Sequence, residues 1–383
     1  MPKKIAFIKV RSFSFINPSL IEQVQRTFPE HTVDVIDLKD WLIQHKLVLL
    51  LAFLNVYKEY WREILQGKKK ANECLFTTRY IFKKIQKMIP ERIKPAEYAF
   101  TFQTQTLFDA GVNALPHFIY TDHTVLANLR YPDIDPQRAL FSKAWMQLEP
   151  SIYAKATNVF TASNFARDSA IADYHCRPEQ VVCVYTGINV AIDPPEHKDY
   201  RAQKILFVGV EWERKGGPEV IAAFQQVLKV CPNAHLTIVG CSPSVEVANC
   251  TIVGRIPKEQ VAQYYREATI FCMPSRIEPA GIAFTEAAMY KLPIISALSG
   301  GIPDRVIHGE TGYLVPVGDV DNLAQYLIEL LTHPERCQTF GEAGYQLAKD
   351  YFTWERVGDA LHSYITPHLS NTTVASTTVA LRS

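Results

Sequence analysis

From residue 204 to 296 the sequence alternates short apolar, β-branched runs with amphipathic stretches of helical period. Strands are predicted at 204–209, 235–239, 251–254, 270–273 and 293–296, with helices at 217–230, 258–268 and 282–291. Short strands that are apolar on both faces must be covered on both sides, so this order requires a parallel sheet with helices on each face. A similar alternation, more widely spaced, occupies the N-terminal half. There strands are predicted at 4–10, 32–37, 98–103, 116–120, 158–161 and 181–185, with helices at 18–28, 138–157 and 164–174. A chain of 383 residues is long enough for two such cores. The predicted fold class is therefore α/β, with two doubly wound, Rossmann-like domains facing across a cleft.

The domain boundaries follow from composition. An N-terminal domain at 1–192 ends where apolar patterning pauses, and a linker at 193–203 begins with the polar Asp193-Pro-Pro-Glu-His-Lys-Asp-Tyr200. The second domain spans 204–352 and closes with a strand at 312–315 and helices at 319–331 and 334–351. A terminal helix at 353–369 is a candidate to pack back on the N-terminal domain. The Ser/Thr/Val-rich tail at 370–383 reads as disordered.

Net charge of +1 makes no overall case for a nucleic-acid partner. The eight cysteines show no CxxC spacing, which points to buried free thiols in a reducing compartment rather than to disulfides or zinc. The N-terminus lacks the apolar core and cleavage region of a signal peptide, so the expected location is cytoplasmic. The longest strongly apolar run, 47–54, is too short to cross a bilayer as a helix. From 41 to 94, however, the pattern is long and helical, and twelve Lys and Arg face four acids there, with Lys68-Lys-Lys70 and Lys83-Lys84 among them. The ordinary reading of that excess is a solvated helical face. The functional one is docking on an anionic membrane surface, on its cytoplasmic side, or on an anionic acceptor.

Chemistry concentrates at 269–293. A buried strand is closed by Pro274, the turn Glu278-Pro-Ala-Gly281 follows, and a helix opens at Ile282. Glu278 in the turn and Glu286 on the helix can approach one bound object from two sides. Gly281 and the first free N–H groups of the helix favour an anion in the same space. Carboxylates that hold hydroxyls beside a phosphate-binding helix end suggest a sugar attached to a phosphate. The loop 209–217 places Arg214 and Lys215 before Gly216-Gly217, where a ligand at the carboxyl ends of the strands would meet them. By itself that loop also reads as a tight turn with solvated charges. A third loop, 297–304, carries Gly300-Gly301. The first loop of the chain, 11–18, has no glycine, so the dinucleotide-binding fingerprint is absent.

Together these motifs resemble the retaining, two-domain nucleotide-sugar glycosyltransferases called group 1 or family 4, with the GT-B fold. The resemblance rests on Phe207-Val-Gly-Val-Glu-Trp-Glu-Arg-Lys-Gly216, Val253-Gly-Arg-Ile-Pro257, Pro274-Ser-Arg-Ile-Glu-Pro-Ala-Gly-Ile-Ala-Phe-Thr-Glu-Ala-Ala288, Gly300-Gly-Ile-Pro-Asp304 and His308-Gly-Glu-Thr-Gly-Tyr-Leu-Val-Pro316. It covers about residues 204 to 330 at specific spacing, and the N-terminal half mainly by layout. It implies an acceptor-side first domain and a donor-binding second domain. It also implies transfer of a hexosyl unit from a nucleoside diphosphate sugar, UDP- or GDP-linked, to a glycan, glycolipid or small hydroxyl acceptor, with no essential divalent metal. Carried onto this chain, Glu286 holds the donor ribose and Glu278 the transferred sugar. Lys215 neutralises the diphosphate, backbone groups of Ala280, Gly281, Ile282 and Ala283 meet sugar or phosphate, and the Arg255-Ile256 backbone faces the base. His123, in Tyr120-Thr-Asp-His-Thr124, is the counterpart of a histidine near the reaction centre; a structural histidine is the plainer alternative. One departure is Gly209-Val210, where the family often has Gly-Arg, which leaves Arg214 to compensate. Rival functions on the same architecture are a sugar-nucleotide epimerase, a phosphorylase or a non-catalytic sugar-nucleotide-binding subunit.

Overall fold

The computed structural model describes residues 2–10, 16–189 and 192–374. Most of the glycine-free first loop, at 11–15, and the tail from 375 onward lie outside the described residues. The chain divides into two compact units, one running to Tyr185 and including the helix from Trp354, the other running from Thr186 to Thr353.

The first unit is built on six parallel strands, β1 (Lys4–Lys9), β2 (Thr32–Asp37), β3 (Tyr98–Thr104), β4 (His117–Thr121), β5 (Asn158–Thr161) and β6 (Val181–Cys183), in the order β2-β1-β3-β4-β5-β6. Phenylalanines on one face of adjacent strands form a continuous layer. Phe7 stacks on Phe102 at 5.5 Å between ring centroids, Phe102 on Phe160 at 6.5 Å, and Phe118 meets Phe100 edge-on at 5.5 Å. All five rings are fully buried. The C-terminal helix, Trp354–Val374, closes this face. His362 lies against Phe28, His368 against Phe118 and Tyr364 against Phe160, while Asp359 pairs with Arg26 at 2.7 Å. The helix runs past the expected end at 369, so 370–374, read from sequence as tail, are helical.

The opposite face is covered by Ile81, Ile85 and Ile89 of the helix Arg79–Arg92, one apolar stripe at 3.6-residue spacing packed on Ala6 and Ile8. The predicted helix at 138–157 is instead three short segments, Pro136–Ala139, Lys143–Met146 and Pro150–Lys155. The sequence contains the breakers: Ser142 caps the middle segment by accepting the Trp145 N–H, and Pro150 starts the last. The long helical stretch at 41–94 is likewise divided, at His45 and around Gly67 (φ +67°), into the end of the helix Leu38–Gln44 and the helices Lys46–Leu65 and Arg79–Arg92.

The second unit has its own parallel sheet of β7 (Lys204–Val208), β8 (His235–Val239), β9 (Cys250–Gly254), β10 (Ile270–Cys272), β11 (Ile294–Ala297) and β12 (Gly312–Val315). Its order, β12-β11-β10-β7-β8-β9, matters for function. The chain leaves β7 toward β8 on one side and returns through β10 on the other. The loops following β7 and β10 therefore start side by side at the carboxyl ends of adjacent strands, at the switch point where open α/β sheets form a ligand crevice. These loops are 209–216 and 273–281, two of the three that sequence singles out.

Candidate active site

Gly216, at φ +76°, lets the loop after β7 lie directly on the loop after β10, because a Cβ there would overlap the Pro274 carbonyl. The contact is made good by hydrogen bonds. Arg276 N–H donates to the Arg214 carbonyl at 2.9 Å, and Arg214 Nη1 donates to the Ile277 carbonyl at 2.7 Å. Between them the Lys215 ammonium pairs with the Glu278 carboxylate, whose other oxygen accepts the Gly281 N–H at 3.1 Å. Gly281, at φ +74°, is the N-cap of the helix Ile282–Met289. The third predicted loop joins the same cluster, with the Gly301 N–H on the Glu278 carbonyl at 2.8 Å and the Ser299 hydroxyl on the Arg276 carbonyl at 2.8 Å. Lys215, Arg214, Glu278, Ala280 and Gly281 are thus brought together by three strand-end loops.

The electrostatics of this cluster are set by competition. Burial would raise the Glu278 carboxyl, but the Lys215 ammonium, helped by Arg214 and the Gly281 N–H, outweighs it and holds Glu278 below the usual carboxylate range. Glu278 is therefore ionised at neutral pH. Beneath it, the buried Arg305 donates Nε to the Ala280 carbonyl at 3.0 Å and lies 3.9 Å over the Phe352 ring, which fixes the turn from below.

Glu286 belongs to different neighbours. Its carboxylate accepts the Tyr265 hydroxyl at 3.3 Å and lies 3.9 Å from the Lys258 ammonium, at the edge of a cavity of about 380 Å³. Tyr265 and Tyr290 wall that cavity with rings stacked 5.6 Å apart, and Asn189 and Val208 complete it. Here burial prevails over Lys258 and Tyr265, and the carboxyl is raised. Glu278, Lys215, Arg255 and Ile256 are not among the lining residues. Arg255 is exposed and Ile256 half-buried, while Ile282 and Ala283 are half-buried at the helix start. Gly209 lies against Gly240, where a Cβ would stand 2.7 Å from the Gly209 carbonyl, and the neighbouring Val210 is exposed.

Lys258, Tyr265 and Tyr290 are site residues that the sequence reading missed. The signal was present, since Lys258, Val261, Ala262 and Tyr265 follow the i, i+3, i+4, i+7 spacing of one helix face and all line the cavity.

In the first unit, His123 follows β4, and its Nε2–H donates to Asn128 Oδ1 at 3.1 Å. Its ring is stacked on Phe165 at 5.9 Å and lies 5.7 Å from Tyr131, and this enclosure lowers its pKa to about 4. With Gln105, Thr106 and Asp122 it lines a small cavity of about 150 Å³. Gln103, near the end of the neighbouring strand β3, is committed to structure. Its amide bonds the Gln105 and Phe108 carbonyls and the Ala110 N–H. Among the described residues no group of three or more His, Cys, Asp or Glu could hold a metal ion.

The model of the family described as "Glycosyl transferases group 1" matches residues 191–347, which spans the crevice loops and the Glu286 cavity. The second unit is a group 1 glycosyl transferase domain. Over 164 residues it is 34% identical to a GDP-mannose-dependent monoacylated alpha-(1-6)-phosphatidylinositol monomannoside mannosyltransferase of Corynebacterium glutamicum, covering 39% of this chain and 43% of that protein. The related mannosyltransferase of Mycolicibacterium smegmatis is 32% identical over 166 residues, 39% of this chain and 44% of that one. The chain therefore aligns with less than half the length of these relatives. Solved structures extend the likeness to the whole GT-B fold. Anabaena HepE in complex with UDP matches with a TM-score of 0.67 at 15% identity, covering 95% of this chain and all of that one. The sucrose-phosphate synthase of Thermosynechococcus elongatus matches at 0.62 and 21% identity over 76% of this chain and 79% of that one. Each unit is thus a Rossmann-like domain, the second of them the group 1 glycosyl transferase domain, in a chain of GT-B fold.

Proposed function

We propose that this protein is a hexosyltransferase that moves a sugar from a nucleoside diphosphate to a hydroxyl acceptor with retention of anomeric configuration. The observation that carries this reading is the junction of Lys215, Glu278 and the Gly281 N–H at the carboxyl ends of β7 and β10. Such a junction offers a cation and helix amides to a diphosphate and a carboxylate to sugar hydroxyls, side by side.

In this proposal the diphosphate lies between Lys215 and the start of the helix Ile282–Met289, with Arg214 in support. The transferred hexose meets Glu278, and the ribose meets Glu286 at the mouth of the tyrosine-walled cavity. The bond from the anomeric carbon to the β-phosphate oxygen breaks as the bond to the acceptor oxygen forms on the same face. The departing phosphate takes the acceptor proton. His123, neutral at physiological pH, offers a hydrogen-bonding group rather than a cation. Positive potential at the diphosphate comes from Lys215, Arg214 and the amides, so turnover in a chelator is expected. The named activities of the relatives favour a glycolipid acceptor and a GDP-linked donor, and a UDP-linked donor is the second choice. Cysteine usage favours the cytoplasm.

The test is a thermal-shift screen of UDP- and GDP-sugars, followed by product analysis with the donor that binds. A specific upward shift with release of nucleoside diphosphate and a glycosylated acceptor supports transfer. An isomerised donor would replace transfer with epimerisation, and a shift by no sugar nucleotide would end the proposal.

A further inference from the structure

The helix Lys46–Leu65 carries apolar residues on two faces, and among the described residues one of those faces is left exposed. Ala52, Val56 and Tyr60 are buried in the core. On the far side Leu47, Leu50, Leu54, Tyr57, Trp61 and Leu65 are exposed, with Leu47 at 70% and Leu65 at 79%. At about 100° per residue these six fall within an arc of about 80°, a continuous stripe along the whole helix. Scattered exposed leucines are unremarkable, but an aligned row of six large apolar side chains is the signature of a surface that is covered in use.

The charge around the stripe indicates what covers it. Lys46 flanks one edge and Lys58 and Arg62 the other, with the Arg62 guanidinium 5.2 Å from the centre of the Trp61 ring. Asn55 and Lys58 then open onto a groove of about 580 Å³ whose other walls carry Arg79, Lys83, Lys84 and Lys87. Glu59 is the acid among its lining residues, and that carboxylate is already committed to the Arg79 N–H and the Ser142 hydroxyl. Among the described residues, Lys58, Lys84 and Lys87 make no ion pair. A second copy seated on the same stripe would bring both sets of cations to one seam with little acid to offset them. An anionic, apolar surface satisfies stripe and groove together.

We propose that the helix Lys46–Leu65 lies in the interface of an anionic lipid bilayer, its apolar stripe among the acyl chains and the groove beside it holding lipid phosphate. Tyr57 and Trp61 sit at the headgroup level, where amphipathic rings are favoured, and the lysines face the phosphates. This inference concerns the first unit alone and does not rest on the donor chemistry proposed for the second.

The experiment is co-sedimentation of the full chain with vesicles of phosphatidylcholine alone and of phosphatidylcholine mixed with phosphatidylglycerol. Two variants accompany it, Leu50→Ser with Leu54→Ser for the stripe, and Lys83→Gln, Lys84→Gln and Lys87→Gln for the groove. Thermal melts of both are expected to match the parent because the altered side chains are exposed or groove-lining. The full chain is expected to pellet with the mixed vesicles and not the neutral ones, and to be released as salt rises. Removing three lysines is expected to weaken partitioning on the order of a hundredfold, and removing two leucines to abolish pelleting. Equal pelleting with both vesicle types, or with neither, would overturn the proposal. So would light scattering that shows a dimer dissociated by the leucine changes in a chain that ignores vesicles.

Discussion

Lys215 and Glu278, 63 positions apart, meet as an ion pair at the point where the chain order of the second sheet reverses. Neither side chain is more than one-seventh exposed. Removing one partner strands the other. In Lys215→Met the Glu278 carboxylate keeps the Gly281 N–H and the more distant Arg214, and burial then dominates its protonation. Each single change, Lys215→Met or Glu278→Gln, is expected to cost about 3 kcal/mol of unfolding free energy. The double change should cost less than their sum, with a coupling of about 1 to 3 kcal/mol. Urea denaturation of the four proteins measures this directly. Purely additive costs would mean that the pair is incidental, and transfer at the parental rate by either single variant would remove it from the mechanism.

Gly216 sets how close the two crevice loops can lie. Gly216→Ala forces a side chain against the Pro274 carbonyl at a positive φ, whereas Gly318→Ala, at φ +84°, meets nothing within 4 Å. The second substitution therefore carries only the conformational cost, about 1 kcal/mol, and the first adds displacement of the loop that holds Glu278. Gly216→Ala is expected to lower the melting temperature more and to weaken sugar-nucleotide binding at least tenfold. Gly318→Ala should leave that affinity unchanged. Equal behaviour of the two in melting and in calorimetric titration would show that loop contact is not what glycine supplies at 216.

The alternation of strands and helices made both sheets legible from residue pattern alone, because strands buried on both faces leave an unbroken apolar run such as Ile205-Leu-Phe207. The loops after β7, β10 and β11 could be recognised as a set, since consecutive parallel strands end on one side. Which side chains pair across those loops could not be read. Sequence sets Glu278 and Glu286 on two sides of one bound object, yet the turn commits the first to Lys215 while the helix carries the second to Tyr265 and Lys258. The segment at 138–157 failed for a local reason, because its overall helical period concealed the breaks at Ser142 and Pro150. In Lys46–Leu65 the apolar pattern identified a helix, but two apolar faces cannot be assigned to core and surface without the sheet they pack on.

Glu286 illustrates stability given up at a proposed binding site. Its folded carboxyl is raised by burial, so the fold favours the protonated form, and the ionised form at neutral pH is destabilising relative to the unfolded chain. Glu286→Gln removes that cost. The variant is expected to be more stable than the parent at pH 7, with the difference vanishing as pH falls below the ordinary glutamate range. Its affinity for a nucleotide sugar should drop, since an amide accepts ribose hydroxyls less strongly than a carboxylate. Melting curves at pH 4 and 7, with and without donor, separate the two effects. A variant less stable than the parent at pH 7 would reverse the assignment.

His117 and His123 give the first unit a distinct acid response. Burial lowers both to about 4. His117 accomplishes this inside the sheet with its ring nitrogen 2.7 Å from the Thr101 hydroxyl, and His123 between Phe165 and Tyr131. A histidine whose folded pKa is depressed is held neutral by the fold, so its contribution is complete above the unfolded value of 6.5. That contribution is lost as pH falls from 6.5 toward 4, where the unfolded chain binds the proton and the folded chain does not. At about 1.4 kcal/mol for each tenfold change in proton affinity, each ring accounts for about 3 kcal/mol across that window. His123→Gln keeps a hydrogen-bonding group near Asn128 and removes the titration. Its stability is expected to fall less steeply than the parent's between pH 6.5 and 4, leaving the slope due to His117. The same substitution should leave no missing inflection near pH 6.5 in the transfer rate, because a ring that titrates near 4 is neutral on both sides of that pH. Parallel stability curves for variant and parent, measured by urea denaturation across the window, would show that His123 is solvated and titrates as it does in the unfolded chain.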